Sequence, residues 1–214
     1  MEQLLEDAIR ALIDLGSMVK DSLYLDNTML LKMPELEVLL HEFKLGINAY
    51  LGNLEDHPEH PSPPKSLKEL IAFNEAHQEQ VMPFFAQELF EKAERRGDIS
   101  SDIYLESLKE WRRLSRQQGI DAFMQKHGLD AFIAPTSGPA WLTDSVNGDP
   151  VSIETSFTPS AVAGYPGISV PLGFISGLPV GLSFYGRAWS ERMLLRCAHA
   201  FENATKAQIA PEIS

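Results

Sequence analysis

Ile168-Ser-Val-Pro-Leu-Gly173 and Val180-Gly-Leu-Ser-Phe-Tyr185 are the two stretches that decide the fold of this chain. Both are short runs of apolar and β-branched residues, which are typical of strands. Ser176-Gly-Leu-Pro179 lies between them and consists largely of turn-forming residues. The sequence therefore predicts a β-hairpin here.

A third strand is predicted just upstream of the hairpin. Ala131 to Ala134 is an apolar run closed by Pro135, which suits a buried strand. A loop rich in Gly, Pro, Asp and Asn follows, to about Phe157. Thr158-Pro159 has the pattern of an N-cap followed by proline at the first helical position, so a short helix should lead into Gly164. Ser190 is predicted to cap a final helix that ends near Lys206.

The first part of the chain is predicted to be mainly helical. Apolar residues at helical spacing indicate a helix over residues 2–15, stopped by Gly16. Residues 17–25 are predicted to form a short strand. A second helix is expected over 34–53, with Pro34 in its first turn.

Two longer helices are expected before the strands begin. Ser66 and Glu69 have the spacing of a capping box, which predicts a helix toward Arg96 that Pro83 kinks or interrupts. Residues 101–127 should form another helix, with Gly119 as its weak point.

The predicted fold class is α/β, with residues 1–127 mainly helical and residues 128–214 holding sheet strands, a pocket loop and the final helix. Three or four apolar strands are few for this many helices, and alone they would leave the edges of a mixed sheet open. This favours a sheet to which other strands are supplied from elsewhere. A chain of 214 residues is long enough for one domain or a large part of a bigger one.

Composition excludes several classes of function. The net charge of −12 would repel phosphate backbones, so no nucleic-acid partner is expected. No apolar run is long enough to cross a membrane, and the N-terminus lacks the pattern of a secretion signal, so a cytoplasmic protein without a membrane partner is expected. Cys197 is the only cysteine and cannot form an intrachain disulfide or a thiolate metal cluster.

Three sequence patterns resemble nucleophilic serine motifs, but none has the local structure that such a motif requires. Ser17-Met-Val-Lys20 and Ser62-Pro-Pro-Lys65 have serine–lysine spacing, but neither stretch is predicted to be helical, so the side chains should not share a face. Gly167-Ile-Ser169-Val-Pro171 resembles a nucleophile elbow with proline in place of the second glycine, which prevents the turn. Ser169 is interpreted as a core serine of a strand.

His57-Pro-Glu-His60 places two imidazoles among acidic residues. A zinc site would need further well-placed ligands, so a solvated acidic loop is the preferred interpretation and no metal site is predicted.

The loop after the third predicted strand is the best candidate for ligand contact. Asp144, Asp149 and Glu154 could serve as acids or bases, or could simply form turns, for which Asn147-Gly148-Asp149 is a strong signal. Trp141 could form the wall of a pocket or anchor the loop to the core. Both alternatives stay open for each residue.

Several segments together resemble the C-terminal part of amidase-signature hydrolases, which cut carboxamide C–N bonds, and in particular its peptide-amidase-like members. The segments are Asp130 to Thr136, Gly138 to Trp141, Asn147 to Asp149, Ala163 to Gly173 and Gly177 to Gly181, with vaguer likeness at Glu42 to Lys44, Asn48 to Leu51 and Leu70 to His77. The resemblance implies a large mixed sheet wrapped by helices, to which this chain contributes the later strands and one wall of a substrate funnel.

The resemblance also identifies what this sequence does not contain. In the family a serine attacks the amide carbonyl, and a second serine and a lysine relay protons; these lie in a Gly-Gly-Ser-Ser-Gly-Gly-type segment and an earlier lysine, neither of which occurs here. No catalytic residue is therefore assigned, and no cofactor is expected. The matching pocket positions, expected to bind substrate, are Thr136, Trp141, Asp144, Asn147 and Asp149.

The expectation is a chain that is inactive alone and binds a small amide substrate only as part of a complete enzyme. One alternative is a non-catalytic subunit that completes a separately encoded N-terminal amidase half. Another is a subunit of a tRNA-dependent amidotransferase, which shares the fold; the acidic charge and the peptide-amidase-like segments weigh against it.

Overall fold

The computed structural model describes residues 1–25, 28–59, 61–149 and 156–210, with the side chains of 28–32 outside the description. In chain order the elements are α1 (Glu2–Asp14), α2 (Thr28–Gly52), α3 (Leu67–Ala76), α4 (Gln78–Val81), α5 (Glu88–Glu94), α6 (Asp102–Ser115), a π-helical turn (Arg116–Ile120), α7 (Asp121–His127), β1 (Phe132–Pro135), α8 (Thr158–Ala163), β2 (Gly167–Ile175), β3 (Leu178–Tyr185) and α9 (Glu191–Thr205).

The predicted hairpin is confirmed. β2 and β3 pair antiparallel, with Ser169 opposite Ser183 and Ile175 opposite Leu178. The two residues between the strands, Ser176 and Gly177, have φ values of 50° and 82°. Positive φ at both central positions matches the right-handed twist of the strands, which is why a Ser-Gly pair closes this hairpin.

β1 completes a three-stranded sheet in the order β1-β3-β2, with both pairs antiparallel. Helices and sheet together confirm the predicted α/β class. The strand predicted at 131–134 is present with its ends shifted by one residue. Its residues are half-buried rather than buried, because within the described residues β1 has a neighbouring strand on one side only.

One face of the sheet packs against α1 and α9. Leu182 and Phe184 from β3 and Phe201 from α9 are at most 1% exposed. Burial of each such side chain stabilises the fold by roughly 1.5–3 kcal/mol. The buried residues of this cluster are Ala8, Leu12, Val170, Leu172, Val180, Leu182, Phe184, Leu194, Ala198 and Phe201.

A smaller cluster lies at the Tyr185 end of the sheet. Ile120, Met124, Ala163 and Tyr185 are buried together there. The path into α7 breaks from helical geometry at Gly119, where φ is −107° and ψ is −111°. The predicted weak point in the 101–127 helix is thus confirmed.

The described chain divides into two compact units, Met1–Met29 with Arg112–Ser214, and Leu30–Trp111. Leu40, Leu67 and Ala93 form a buried cluster in the second unit. α3 begins as predicted, since the hydroxyl of Ser66 accepts a hydrogen bond from the backbone N–H of Glu69. The Glu69 carboxylate accepts from the N–H of Lys65, one residue before the position of an ideal capping box.

Three predicted elements are wrong in whole or in part. Residues 17–25 are not a strand, since they are joined to no other strand in the described structure. The long helix expected over 66–96 is interrupted around Pro83 as predicted, but it is also divided at His77, which separates α3 from α4. α2 begins at Thr28, so Pro34 lies inside it and forgoes one helical hydrogen bond.

Of the two caps predicted for the later helices, one is displaced and the other makes no capping hydrogen bond. Thr158 is already helical and Phe157 occupies the N-cap position of α8, although Gly164 ends this helix with a left-handed φ of 64° as expected. Ser190 does occupy the N-cap position of α9. Its hydroxyl, however, donates to the Arg187 carbonyl and caps no helical N–H.

Candidate functional site

The face of the sheet that α1 and α9 leave uncovered carries small and hydroxyl-bearing residues. Side chains alternate between faces along a strand. Because Val170, Leu182 and Phe184 point into the core, Ser169 and Ser183 point to the opposite face. The sheet is therefore apolar on one side and polar on the other at its centre.

Three hydroxyls meet on this polar face. Oγ1 of Thr136 lies 2.6 Å from Oγ of Ser169 and 2.8 Å from Oγ of Ser183. The backbone N–H of Thr136 donates to the carbonyl of Gly181 at 2.8 Å, which extends the β1–β3 pairing by one residue and holds the threonine in place. We call Thr136, Ser169 and Ser183 the hydroxyl trio.

A cavity of about 440 Å³ opens beside the hydroxyl trio. None of its lining residues carries a charged side chain, and most of them are apolar or aromatic. They are Thr136, Phe157, Ser160, Ala161, Tyr165, Gly167, Ile168, Ser169, Ser183, Phe184 and Tyr185. Such a cavity suits an uncharged ligand with a small polar group.

Tyr165 is fixed at one side of this cavity. Its hydroxyl donates to Oδ2 of Asp121 at 2.8 Å, and the Arg116 guanidinium lies 5.7 Å from the ring centroid. Burial, and then the hydrogen bond to Asp121, raise the pKa of Tyr165 to about 12. The phenol therefore stays neutral at physiological pH, with its hydrogen committed to Asp121.

The loop of residues 141–149 is organised around Asp144. Its carboxylate accepts from the backbone N–H groups of Val146 and Asn147 and from the Asn147 side chain, all at 2.9 Å. These hydrogen bonds, those of Asn147 first, lower the pKa of Asp144. Asp144 and Asn147 thus form a turn, as one of the two alternatives predicted; ligand contact by this loop stays a prediction.

The structure brings only part of the predicted pocket positions together. Thr136 lies in the cavity, and Asp144 bonds Asn147 in the loop. Trp141 is 46% exposed, so it is not buried as an anchor, and Asp149 is exposed. Glu154 lies outside the described residues.

Ser169, Ser183 and Tyr165 were not among the predicted site residues. Ser169 was expected in the core, but it is exposed on the open face of an edge strand. A signal was available: the small or polar residues at 167, 169, 181 and 183 alternate with apolar ones on both strands of the hairpin. Tyr165 could not be identified from the sequence pattern, because its position depends on how α8 packs against the π-helical turn.

The serine–lysine patterns do not form catalytic pairs. Nζ of Lys20 donates to the carbonyl of His127. Nζ of Lys65 lies 2.5 Å from the Leu54 carbonyl and 3.0 Å from the Asp56 carboxylate. Both lysines are thus committed to groups other than the serines at 17 and 62.

Neither a metal site nor a membrane span is found in the part of the chain that the structure describes. No group of three His, Cys, Asp or Glu side chains there could hold a metal ion; His60, from the predicted acidic loop, lies outside that part. No helix among the same residues has the length and apolar character needed to cross a bilayer.

A sequence model of the family described as Amidase matches residues 1–195. The chain belongs to the amidase family. It is 36% identical over 177 residues to a probable amidase of Arabidopsis thaliana, and this match covers 81% of the chain. It is also 39% identical over 118 residues, or 52% of the chain, to one of the subunits of the glutamyl-tRNA(Gln) amidotransferase of Cellvibrio japonicus.

Solved structures of the amidase family match the whole chain. The native peptide amidase of Stenotrophomonas maltophilia is 39% identical with a TM-score of 0.85 over 99% of this chain, and an amidase family protein of Bacillus anthracis is 27% identical with a TM-score of 0.75. The resemblance found from sequence is thereby confirmed. This chain spans 41% of that peptide amidase and 30% of the plant amidase, well under half of either relative.

Proposed function

We propose that this chain forms the C-terminal part of an amidase that hydrolyses carboxamide C–N bonds, and that it supplies one wall of the substrate pocket. The observation that carries the proposal is the likeness to peptide amidase along 99% of the chain, at 39% identity. The uncharged, hydroxyl-lined cavity supports it, because amides are neutral and hydrogen-bonding.

By itself the chain is proposed to be inactive. Amide hydrolysis of this type needs an activated serine and groups that stabilise the oxyanion. The Gly/Ser-rich segment and lysine that the resemblance assigns to these tasks do not occur in the sequence. Loss of one oxyanion donor alone slows such reactions by about 10²–10³-fold, so a pocket wall without nucleophile or oxyanion site should bind amides without turning them over.

The substrate-binding positions proposed are Thr136, Trp141, Asp144, Asn147 and Asp149. Thr136 would act within the cavity that it lines. Trp141 offers an exposed ring for apolar substrate groups. Asp144 and Asn147 would act by holding the loop in its turn, since their polar atoms bond each other.

The nucleophile would come from a further polypeptide segment, either on the same chain or on a separate subunit. The solved relatives are more than twice the length of this chain, which leaves room for that segment in a complete enzyme. A component of a tRNA-dependent amidotransferase is the second candidate, supported by the likeness to the Cellvibrio protein over half of the chain. The net charge of −12 favours the amidase over a function that involves tRNA.

The test is an ammonia-release assay with peptide amides and simple aliphatic and aromatic carboxamides. The chain alone should give no turnover. Addition of a separately produced N-terminal part of the Stenotrophomonas peptide amidase, with its Gly/Ser-rich segment, should restore it, and the same part with its nucleophilic serine replaced by alanine should not.

Two outcomes would contradict the proposal. One is ammonia release by the chain alone that persists through purification. The other is an acyl adduct on any side chain of this protein, located by mass spectrometry after incubation with an activated ester.

A further inference from the structure

We propose that the Ser169 hydroxyl is the hydrogen-bond donor of a binding site for the carbonyl oxygen of a neutral carboxamide or peptide group, and that Thr136 and Ser183 orient it. The inference deepens the proposed function and rests on it for the class of ligand. It names which atom of the cavity recognises the amide.

The direction of the hydrogen bonds in the trio follows from burial. Ser183 is 4% exposed, and within the described residues its hydroxyl bonds only Thr136. If Thr136 donated to Ser183, the hydrogen of Ser183 would be buried without an acceptor, which costs about 1–3 kcal/mol. Ser183 therefore donates to Thr136.

The rest of the chain of hydrogen bonds is then determined. Thr136 has one hydroxyl hydrogen, and it donates this to Ser169 at 2.6 Å. The Ser169 hydrogen is left for a partner outside the trio. Because Ser169 is exposed and lines the cavity, that hydrogen is available to an acceptor within it.

Gly181 makes this arrangement possible. A Cβ atom at this position would lie 2.7 Å from Oγ of Ser169 and 2.8 Å from Oγ1 of Thr136, too close for either contact. The two hydroxyls therefore meet over the space that a side chain would occupy. Gly181 does not have a positive φ, so room rather than backbone conformation is the reason for glycine here.

The lining of the cavity selects the class of acceptor. A carboxylate or phosphate would be partly desolvated there without a cation among the lining residues, which is unfavourable. A carbonyl oxygen accepts one hydrogen bond from Ser169 at little desolvation cost. Phe157 and Ala161 supply apolar contact for the groups that flank the amide.

The experiment is a titration of the full chain with benzamide and, separately, with benzoate, followed by backbone amide shifts in NMR. The two probes have nearly the same shape and differ in charge. Benzamide should shift the resonances of residues around the cavity in a saturable way, and benzoate should bind at least several-fold more weakly.

Variants locate the donor. Ser169→Ala should weaken benzamide binding by about two- to tenfold, the range of one hydrogen bond, and Ser169→Thr should restore it. Ser137→Ala is the matched control, because the Ser137 hydroxyl bonds Gly138 outside the cavity lining, and it should bind like the wild type. If Ser169→Ala does not fold, Thr136→Val and Thr136→Ser are compared instead. The first removes the hydroxyl that orients Ser169 and should weaken benzamide binding, and the second keeps that hydroxyl.

The inference is overturned if the wild type shows no saturable shift, if benzoate binds as tightly as benzamide, or if Ser169→Ala and Thr136→Val both bind like the wild type. Its failure is separable from that of the proposed function. If benzamide binding depends on Ser169 but the reconstituted assay shows no ammonia release, the binding site is supported and the proposed function is rejected. Conversely, if the reconstituted enzyme releases ammonia and Ser169→Ala leaves its KM unchanged, the proposed function is supported and the role of Ser169 is rejected.

Discussion

Arg96 holds Glu37 through two hydrogen bonds, from Nε at 2.8 Å and from Nη2 at 2.7 Å. Both side chains are about three-quarters buried, and residues 37 and 96 belong to α2 and to the chain just after α5. The contact therefore ties together two distant parts of the second unit. The hydrogen bonds from Arg96 lower the pKa of Glu37, against a smaller opposing effect of burial.

Glu37→Gln should lower the free energy of unfolding by about 1–3 kcal/mol, because it leaves the guanidinium partly buried without a carboxylate. Urea unfolding at neutral pH, followed by circular dichroism, measures this. Glu6→Gln is the matched control: Glu6 also pairs with an arginine, but both side chains are more than half exposed, and the change should stay within roughly 0.5 kcal/mol. Equal losses in the two variants would contradict the prediction.

The Glu37–Arg96 pair should also make the free energy of unfolding depend on pH. The pKa of Glu37 is lower in the folded chain than in the unfolded chain. Its contribution is therefore complete above the unfolded value, near 4.3, and is lost as the pH falls through the folded value. The difference between wild type and Glu37→Gln should shrink over that acidic range, and a constant difference down to full protonation would contradict this.

Gly181→Ala should destabilise the chain by about 1–3 kcal/mol, because the added methyl group forces apart Thr136 and Ser169. Thermal unfolding measures the loss. Gly46→Ala is the control: Gly46 is exposed within α2 with nothing near its missing side chain, so alanine should stabilise by roughly 0.5–1 kcal/mol. A neutral Gly181→Ala would show that the sheet shifts to make room.

Asp121→Asn should lower the pKa of Tyr165 from about 12 without returning it to its ordinary value, because burial is the larger cause of the shift and remains. The measurement is an ultraviolet titration of the phenol, with Tyr165→Phe to assign the signal. Since the folded pKa lies above the unfolded value, the stability from neutral Tyr165 is complete below about pH 10 and declines toward pH 12. An unchanged titration in Asp121→Asn would contradict the assigned hydrogen bond.

Ser66→Ala should cost about 1 kcal/mol by removing the cap of α3. Ser17→Ala is the control, since Ser17 is exposed beyond the end of α1, and surface changes of this kind stay within roughly 0.5 kcal/mol. Chemical unfolding compares the two. A loss that is equal in both variants would show that the hydrogen bond from Glu69 contributes nothing.

Local signals explain which parts of the fold could be predicted. The hairpin follows from two strand-like runs around Ser176-Gly177, and the break at Gly119 follows from the cost of glycine in a helix. Residues 17–25 had strand-like composition, but a strand exists only when a neighbour pairs with it, and none does so in the described structure. The interruption around Pro83 was predicted, but the break at His77 between α3 and α4 was not, because no proline or glycine stands there in the sequence.

The candidate site was only partly predictable for a similar reason. Thr136 could be proposed because its own stretch resembles the family. Its partners Ser169 and Ser183 come from the other two strands, and their meeting depends on the register of both pairings and on the room left by Gly181. Side-chain patterns along one strand do not contain that information.

The irregularity of β2 limits how a further strand could join this sheet. Pro171 has no N–H to offer to a neighbour, and the pairing with β3 shifts between Pro171 and Gly173. A further strand at the free edge of β2 would therefore find regularly spaced backbone donors and acceptors only from Gly167 to Val170. This disfavours edge-to-edge pairing between copies of the chain. A strand that pairs with β2 must be short, or must bend at Pro171.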